Sequence, residues 1–204
     1  MQRAPLRHAR AFTLIELMVV IAIVAVVLSL AAPSFQKMIE MQRLRGVQDQ
    51  LVTDLQFARS EAARSGIPVH FYVKRAGGGA GACYILFTDT NLDNRNWQAP
   101  CDCAAAAGAR CTNATMNEVR TVQLPASQLV LLRESPITVN HVAFDPVTLG
   151  LITPAIDVGG GVPQPFKVDT MYDRPRKLRT IVELSGRPLV CAPDGSTIAI
   201  TSCS

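Results

Sequence analysis

The sequence predicts an α+β protein: one long N-terminal helix, membrane-spanning in its first half and amphipathic in its second, packed on a small antiparallel β-domain or two-sheet sandwich. Three observations carry this. Leu14–Ala32 is an almost unbroken apolar run, Leu44–Ala62 carries apolar residues at helical spacing, and short β-type segments follow Gly66 to the end of the 204 residues. That length suits one membrane segment and one further domain, since domains commonly hold about 100–150 residues.

The apolar run, LIELMVVIAIVAVVLSLAA, approaches the roughly 20 residues a helix needs to cross a hydrocarbon core, with only Glu16 and Ser29 interrupting it. It is too long for the apolar region of a secretory signal peptide, about 7–15 residues, and Leu30-Ala31-Ala32 before Pro33 makes a poor small-x-small cleavage site. Arg3, Arg7 and Arg10 lie upstream with no matching cluster after Ala32, so the positive-inside bias puts the N-terminus in the cytoplasm and the rest in the periplasm. Removal of those three arginines takes the formal charge from +4 to +1, which is no global polyanion-binding charge.

Glu16 is the costly residue of the run, because an acid inside a spanning helix costs about 2.5–3.5 kcal/mol on insertion scales. A cut before Phe12 creates an α-amino group one helical turn away, and the amine of a neighbouring subunit would then neutralise the carboxylate. An acid near a helix N-terminus is also favoured by the macrodipole. Pro33 marks the boundary of this segment, either as a helix end or as a bend.

From 33 to 65 the pattern resumes, with Leu44, Val47, Leu51, Leu55, Ala58 and Ala62 at spacings of three and four. Arg45, Gln48, Asp54, Arg59 and Glu61 are expected on the other faces. Ser65-Gly66-Ile67-Pro68 stops the helix, with glycine at the cap and proline just after. Beyond it, strands are expected at Val69–Val73, Tyr84–Thr88, Val119–Leu124, Leu129–Leu132, Ile137–Phe144, Ile181–Leu184, Leu189–Cys191 and Thr197–Ile200, separated by turn residues.

All six cysteines (Cys83, Cys101, Cys103, Cys111, Cys191, Cys203) follow the apolar run, an even number that fits disulfides in an oxidising compartment. Cys191 and Cys203 are the candidate pair across the final hairpin, while spacing does not choose among the 15 connectivities six cysteines allow. The same cysteines, even with His70 or His141, offer no C-x-x-C metal pattern, so no metal is expected. Asp89-Thr90-Asn91-Leu92-Asp93-Asn94 opens like a calcium loop, but Asn94 replaces the turn glycine and Pro100 stands in place of the bidentate Glu. Gly77–Gly81 and Gly159–Gly161 lack the Lys-Ser/Thr ending of a phosphate loop and read as flexible turns. With His8, His70 and His141 scattered and no G-x-S-x-G motif, no catalytic constellation is expected; the chain reads as non-enzymatic and without a cofactor.

Ala11-Phe12-Thr13-Leu14-Ile15-Glu16-Leu17 resembles the type III signal of type IV pilins and type II secretion pseudopilins. The resemblance implies cleavage between Ala11 and Phe12 by a prepilin peptidase, N-methylation of Phe12, and assembly with other pilins or pseudopilins by helix packing in the inner membrane. Pro33 is similar to a helix-bending proline of that family. Ala11 departs from it, since the family carries Gly before the cut. On this basis 1–11 is a leader, 12–32 the membrane and assembly helix, 33–65 the amphipathic helix, and 66–204 a periplasmic β-rich domain.

Leu55-Gln56-Phe57-Ala58-Arg59-Ser60-Glu61-Ala62 and the strand series after it resemble the GspH/FimT branch of minor pilins and pseudopilins. This implies a structural subunit of a type II secretion pseudopilus or a type IV pilus. An alternative role is DNA capture during uptake. Arg174, Arg176, Lys177 and Arg179, with Arg187 in the next turn, are the candidate DNA-contacting residues, because clustered cations bind phosphates by counterion release. Gly186-Arg187-Pro188-Leu189 is similar to the Gly-Arg-x-Arg motif of DNA-uptake subunits but lacks its second arginine.

Overall fold

A computed structural model describes residues 13–74, 81–90, 101–125, 130–134, 140–152, 164–173 and 175–203. The chain is a helix, α1 (Leu14–Ser65), followed by nine strands: β1 (Val69–Lys74), β2 (Ala82–Asp89), β3 (Met116–Leu124), β4 (Leu131–Glu134), β5 (His141–Phe144), β6 (Leu151–Ile152), β7 (Phe166–Met171), β8 (Lys177–Val182) and β9 (Pro188–Cys191). They form a five-stranded sheet of order β3-β2-β1-β5-β6 and a four-stranded sheet of order β4-β7-β8-β9, every ladder antiparallel. The α+β, two-sheet expectation holds.

By its contacts the chain divides into two units, Met1–Glu40 and Met41–Ser204. In the first, α1 passes through Pro33 without a break in helical backbone, and large apolar side chains including Leu14, Ile21, Leu28, Phe35 and Ile39 are exposed. By length and composition this stretch suffices to cross a membrane.

The second unit is built around the inner stripe of α1. Leu44, Leu51, Leu55, Ala58 and Ala62 are fully buried. Leu51 onward joins Phe71 of β1, Tyr84 of β2, Phe144 of β5 and Phe166 and Val168 of β7 in one core. Gly66 ends the helix as expected, at φ 69° with its amide on the Ala62 carbonyl at 3.0 Å.

Two residues assigned to the polar faces are instead inside. Gln48 completes the 4-3-4-3-4 spacing of the stripe (44, 48, 51, 55, 58, 62) and donates its amide to Thr180 of β8. Asp54 is buried where the Tyr84 hydroxyl donates to it at 2.7 Å and the Arg120 guanidinium forms an ion pair with it at 2.8 Å. Buried polar groups persist where such partners are supplied.

β2 is buried on both faces. One face enters the main core, while Cys83, Ile85 and Phe87 on the other lie under a loop fastened by Cys83–Cys103 and Cys101–Cys111. Thr197–Ile200 forms no strand: the tail is held by the Cys191–Cys203 disulfide, a single parallel bridge between Ala192 and Ser202, and the Thr197 amide on the Pro175 carbonyl. Ile198 packs with Leu44, Val130 and Leu178.

Candidate functional site

Thr13 offers its hydroxyl to the Glu16 amide at 3.3 Å, capping α1 with the acid in its first turn, where the macrodipole favours it. Ala11 and Phe12 lie outside the described residues, and Pro33 sits within α1.

Part of the basic segment lies in a strand. β8 begins at Lys177, four residues before the expected Ile181, and its inward positions are Leu178, Thr180 and Val182. The Arg176 guanidinium donates through Nε and Nη2 to Oδ2 of Asp173 at 2.8 and 2.6 Å, its backbone amide donates to Oδ1 at 2.8 Å, and the guanidinium lies 4.5 Å over the Tyr172 ring. Arg179 pairs with Asp169, directly opposite on β7, at 2.6 Å. That pair raises the Arg179 pKa, and the Arg176 hydrogen bond holds Asp173 below the usual carboxylate range. Arg174 lies outside the described residues.

Arg187 is separated from these groups by the length of β8. Because Val182 faces Pro188 and Arg179 faces Cys191, Arg187 stands at the turn end while Arg176 and Lys177 stand at the other. Five strand steps amount to roughly 17 Å. The structure therefore does not gather the four described candidate cations, Arg176, Lys177, Arg179 and Arg187, into one patch.

What Arg187 does adjoin is a junction sequence reading missed. The turn after β5 is shaped by Asp145, whose carboxylate accepts the amides of Val147 and Thr148, and it places Leu149 at φ 57°. Those hydrogen bonds, Thr148 first, depress the Asp145 pKa. Arg59 of α1 donates Nε–H to the Leu149 carbonyl at 3.1 Å. Gly186, at φ 76°, brings the β8–β9 turn so close that a Cβ there would lie 2.2 Å from the same carbonyl oxygen. Arg59 gave no sequence signal, since its partner is 90 residues away.

All six cysteines are disulfide-bonded, and no cluster of three or more His, Cys, Asp or Glu among the described residues is placed to hold a metal. His70 and His141 are neighbours, Nδ1 to Nε2 at 3.0 Å, with His70 stacked on Phe87 at 4.9 Å. Of the calcium-like segment, Asp89 ends β2, Thr90 follows it, and 91–100 lie outside the described residues.

A capped, apolar, acid-bearing helix leading into a disulfide-stapled two-sheet domain defines the class of pilin-like subunits. Residues 6–32 match the prokaryotic N-terminal methylation motif. Residues 48–186 match the type II transport protein GspH model, and the chain belongs to that family of minor pilins and pseudopilins. Two crystal forms of the type IV minor pilin FimU of Pseudomonas aeruginosa are similar to it in structure. One is 13% identical, covering 78% of this chain and 99% of that chain at a TM-score of 0.45. The other is 14% identical, covering 80% and 96% at 0.47. No curated protein matches the chain.

Proposed function

We propose that this chain is a minor pilin or pseudopilin, a structural subunit of a type II secretion pseudopilus or type IV pilus. In this reading a prepilin peptidase cuts between Ala11 and Phe12 and the new Phe12 amine is methylated. The observation that carries it is the exposed apolar half of α1 with Glu16 in its first turn: such a surface calls for membrane or like helices, and the acid for a cationic partner. Three disulfides support a periplasmic location for the β-domain.

The rival role, DNA capture, draws on Arg176, Lys177, Arg179 and Arg187. Arg176 and Arg179 already serve Asp173 and Asp169, which favours the structural role. The test is intact-mass and N-terminal analysis of the chain recovered from membranes of its bacterial host. A product beginning at N-methylated Phe12 is expected; one beginning near Pro33 would overturn the reading.

A further inference from the structure

Beside the Arg59–Leu149 junction, α1 and β9 leave a groove of about 570 Å³, within the range of pockets that hold small ligands or a few side chains. Its walls are largely apolar, supplied by Ala63, Leu149, Pro188 and Leu189, and its lining contains two cations, Arg59 and Arg187, and no carboxylate. Leu189 is 51% exposed, on the edge strand of the four-stranded sheet. Arg187 makes no ion pair among the described residues.

We propose that this groove is a docking site for an acidic peptide segment of a partner protein, seating an apolar side chain against Ala63, Leu149 and Leu189 and a carboxylate on Arg59 and Arg187. Charge complementarity argues for the acid, because guanidinium groups recognise carboxylates through paired, directional hydrogen bonds. The apolar walls argue for a peptide over a nucleic acid. A phosphodiester chain gains affinity by neutralising many phosphates along a track of cations, and three other arginines are already paired, Arg64 of α1 with Glu61 and Arg176 and Arg179 with Asp173 and Asp169.

The site is also pre-shaped. Arg59 is held by its bond to the Leu149 carbonyl, leaving its terminal nitrogens for a ligand, and Gly186 fixes the turn that carries Arg187. Fixing groups before binding lowers the ordering cost of association.

The test uses the full chain in detergent micelles and fluorescence polarisation. Probes are short peptides in which Glu alternates with Leu or Phe, their Gln counterparts, and a single-stranded oligothymidylate. Binding is expected for the Glu peptides, weakened about tenfold by Arg187→Gln, the size of effect for loss of one charged hydrogen-bonding partner. Leu189→Asp, at a half-exposed position that folding tolerates, should abolish it, and added salt should weaken it. Failure of the Glu peptides to bind, equal binding of the Gln peptides, or binding of the oligonucleotide alone would each overturn the proposal. Because the assay reads only the groove, it stands or falls separately from N-terminal processing.

Discussion

The Tyr84 hydroxyl donates to Oδ2 of Asp54 at 2.7 Å, while Arg120 approaches the other carboxylate oxygen at 2.8 Å. Burial, and then the bond to Asp54, push the phenol pKa above its ordinary value, so Tyr84 stays a donor at every pH of interest. Asp54 is buried and the Arg120 side chain is 46% exposed, and that asymmetry sets the mutational outcome. Arg120→Met strands a buried carboxylate and should cost about 3 kcal/mol. Asp54→Asn keeps an acceptor for Tyr84 and lets Arg120 turn to water, costing about 1 kcal/mol. Urea denaturation of both variants ranks them, and the reverse order would refute the account.

Gly186 and Gly66 both adopt positive φ but differ in their surroundings. Nothing lies within 4 Å of a Cβ on Gly66, so Gly66→Ala should cost only the left-handed backbone penalty, about 1 kcal/mol. Gly186→Ala adds the collision with the Leu149 carbonyl and should cost about 2–4 kcal/mol. Equal losses by thermal denaturation would show that the two turns do not depend on close approach.

Burial lowers the His70 pKa from 6.5 to about 4, with Asp89 opposing. The folded value lies below the unfolded one, so the unfolded chain binds more protons between them. Stability is therefore complete above about pH 6.5 and falls as pH drops toward 4, by up to about 3 kcal/mol. Asp102 and Asp173, held low by Lys74 and Arg176, lose their contributions only at still lower pH, beginning near the ordinary carboxylate value of 3.8. Denaturation midpoints of His70→Phe should be flatter across pH 4.5–6.5 than those of the parent; an unchanged slope would assign the effect elsewhere.

Glu16→Ala removes an insertion cost of about 2.5–3.5 kcal/mol, so membrane insertion and cleavage should persist. Recovery in sheared filaments should collapse, because no carboxylate remains for a neighbour's amine. Mass analysis reads the first outcome and sedimentation of sheared filaments the second. Normal filament recovery would remove Glu16 from the assembly argument.

Much of the domain was legible because local pattern and burial agree: β1 and β2 are short apolar runs between turn residues, and Gly66-Ile67-Pro68 ends α1. β7 was missed because its Asp169 reads as a turn residue until Arg179 is seen opposite it. β6 is two residues long, below any periodicity. Thr197–Ile200 alternates like a strand, yet Ile198 is buried for the sake of Leu44, and the backbone there is held mainly by Pro175 and the disulfide. The partners of the basic segment were not legible for a related reason: sequence counts charges, and only the fold shows that Asp169 and Asp173 answer two of them.

The polar keys on the inner stripe of α1 bear on mechanics. Gln48 engages Thr180 on one sheet and Asp54 engages Tyr84 and Arg120 on the other. A pull along the helix axis that shifted it one turn, about 5.4 Å, would carry a leucine toward Thr180 and strand the carboxylate among apolar side chains. An all-leucine stripe would slide with little resistance, whereas these two polar contacts hold the Met41–Ser65 part of the helix in register with both sheets against a load along its axis.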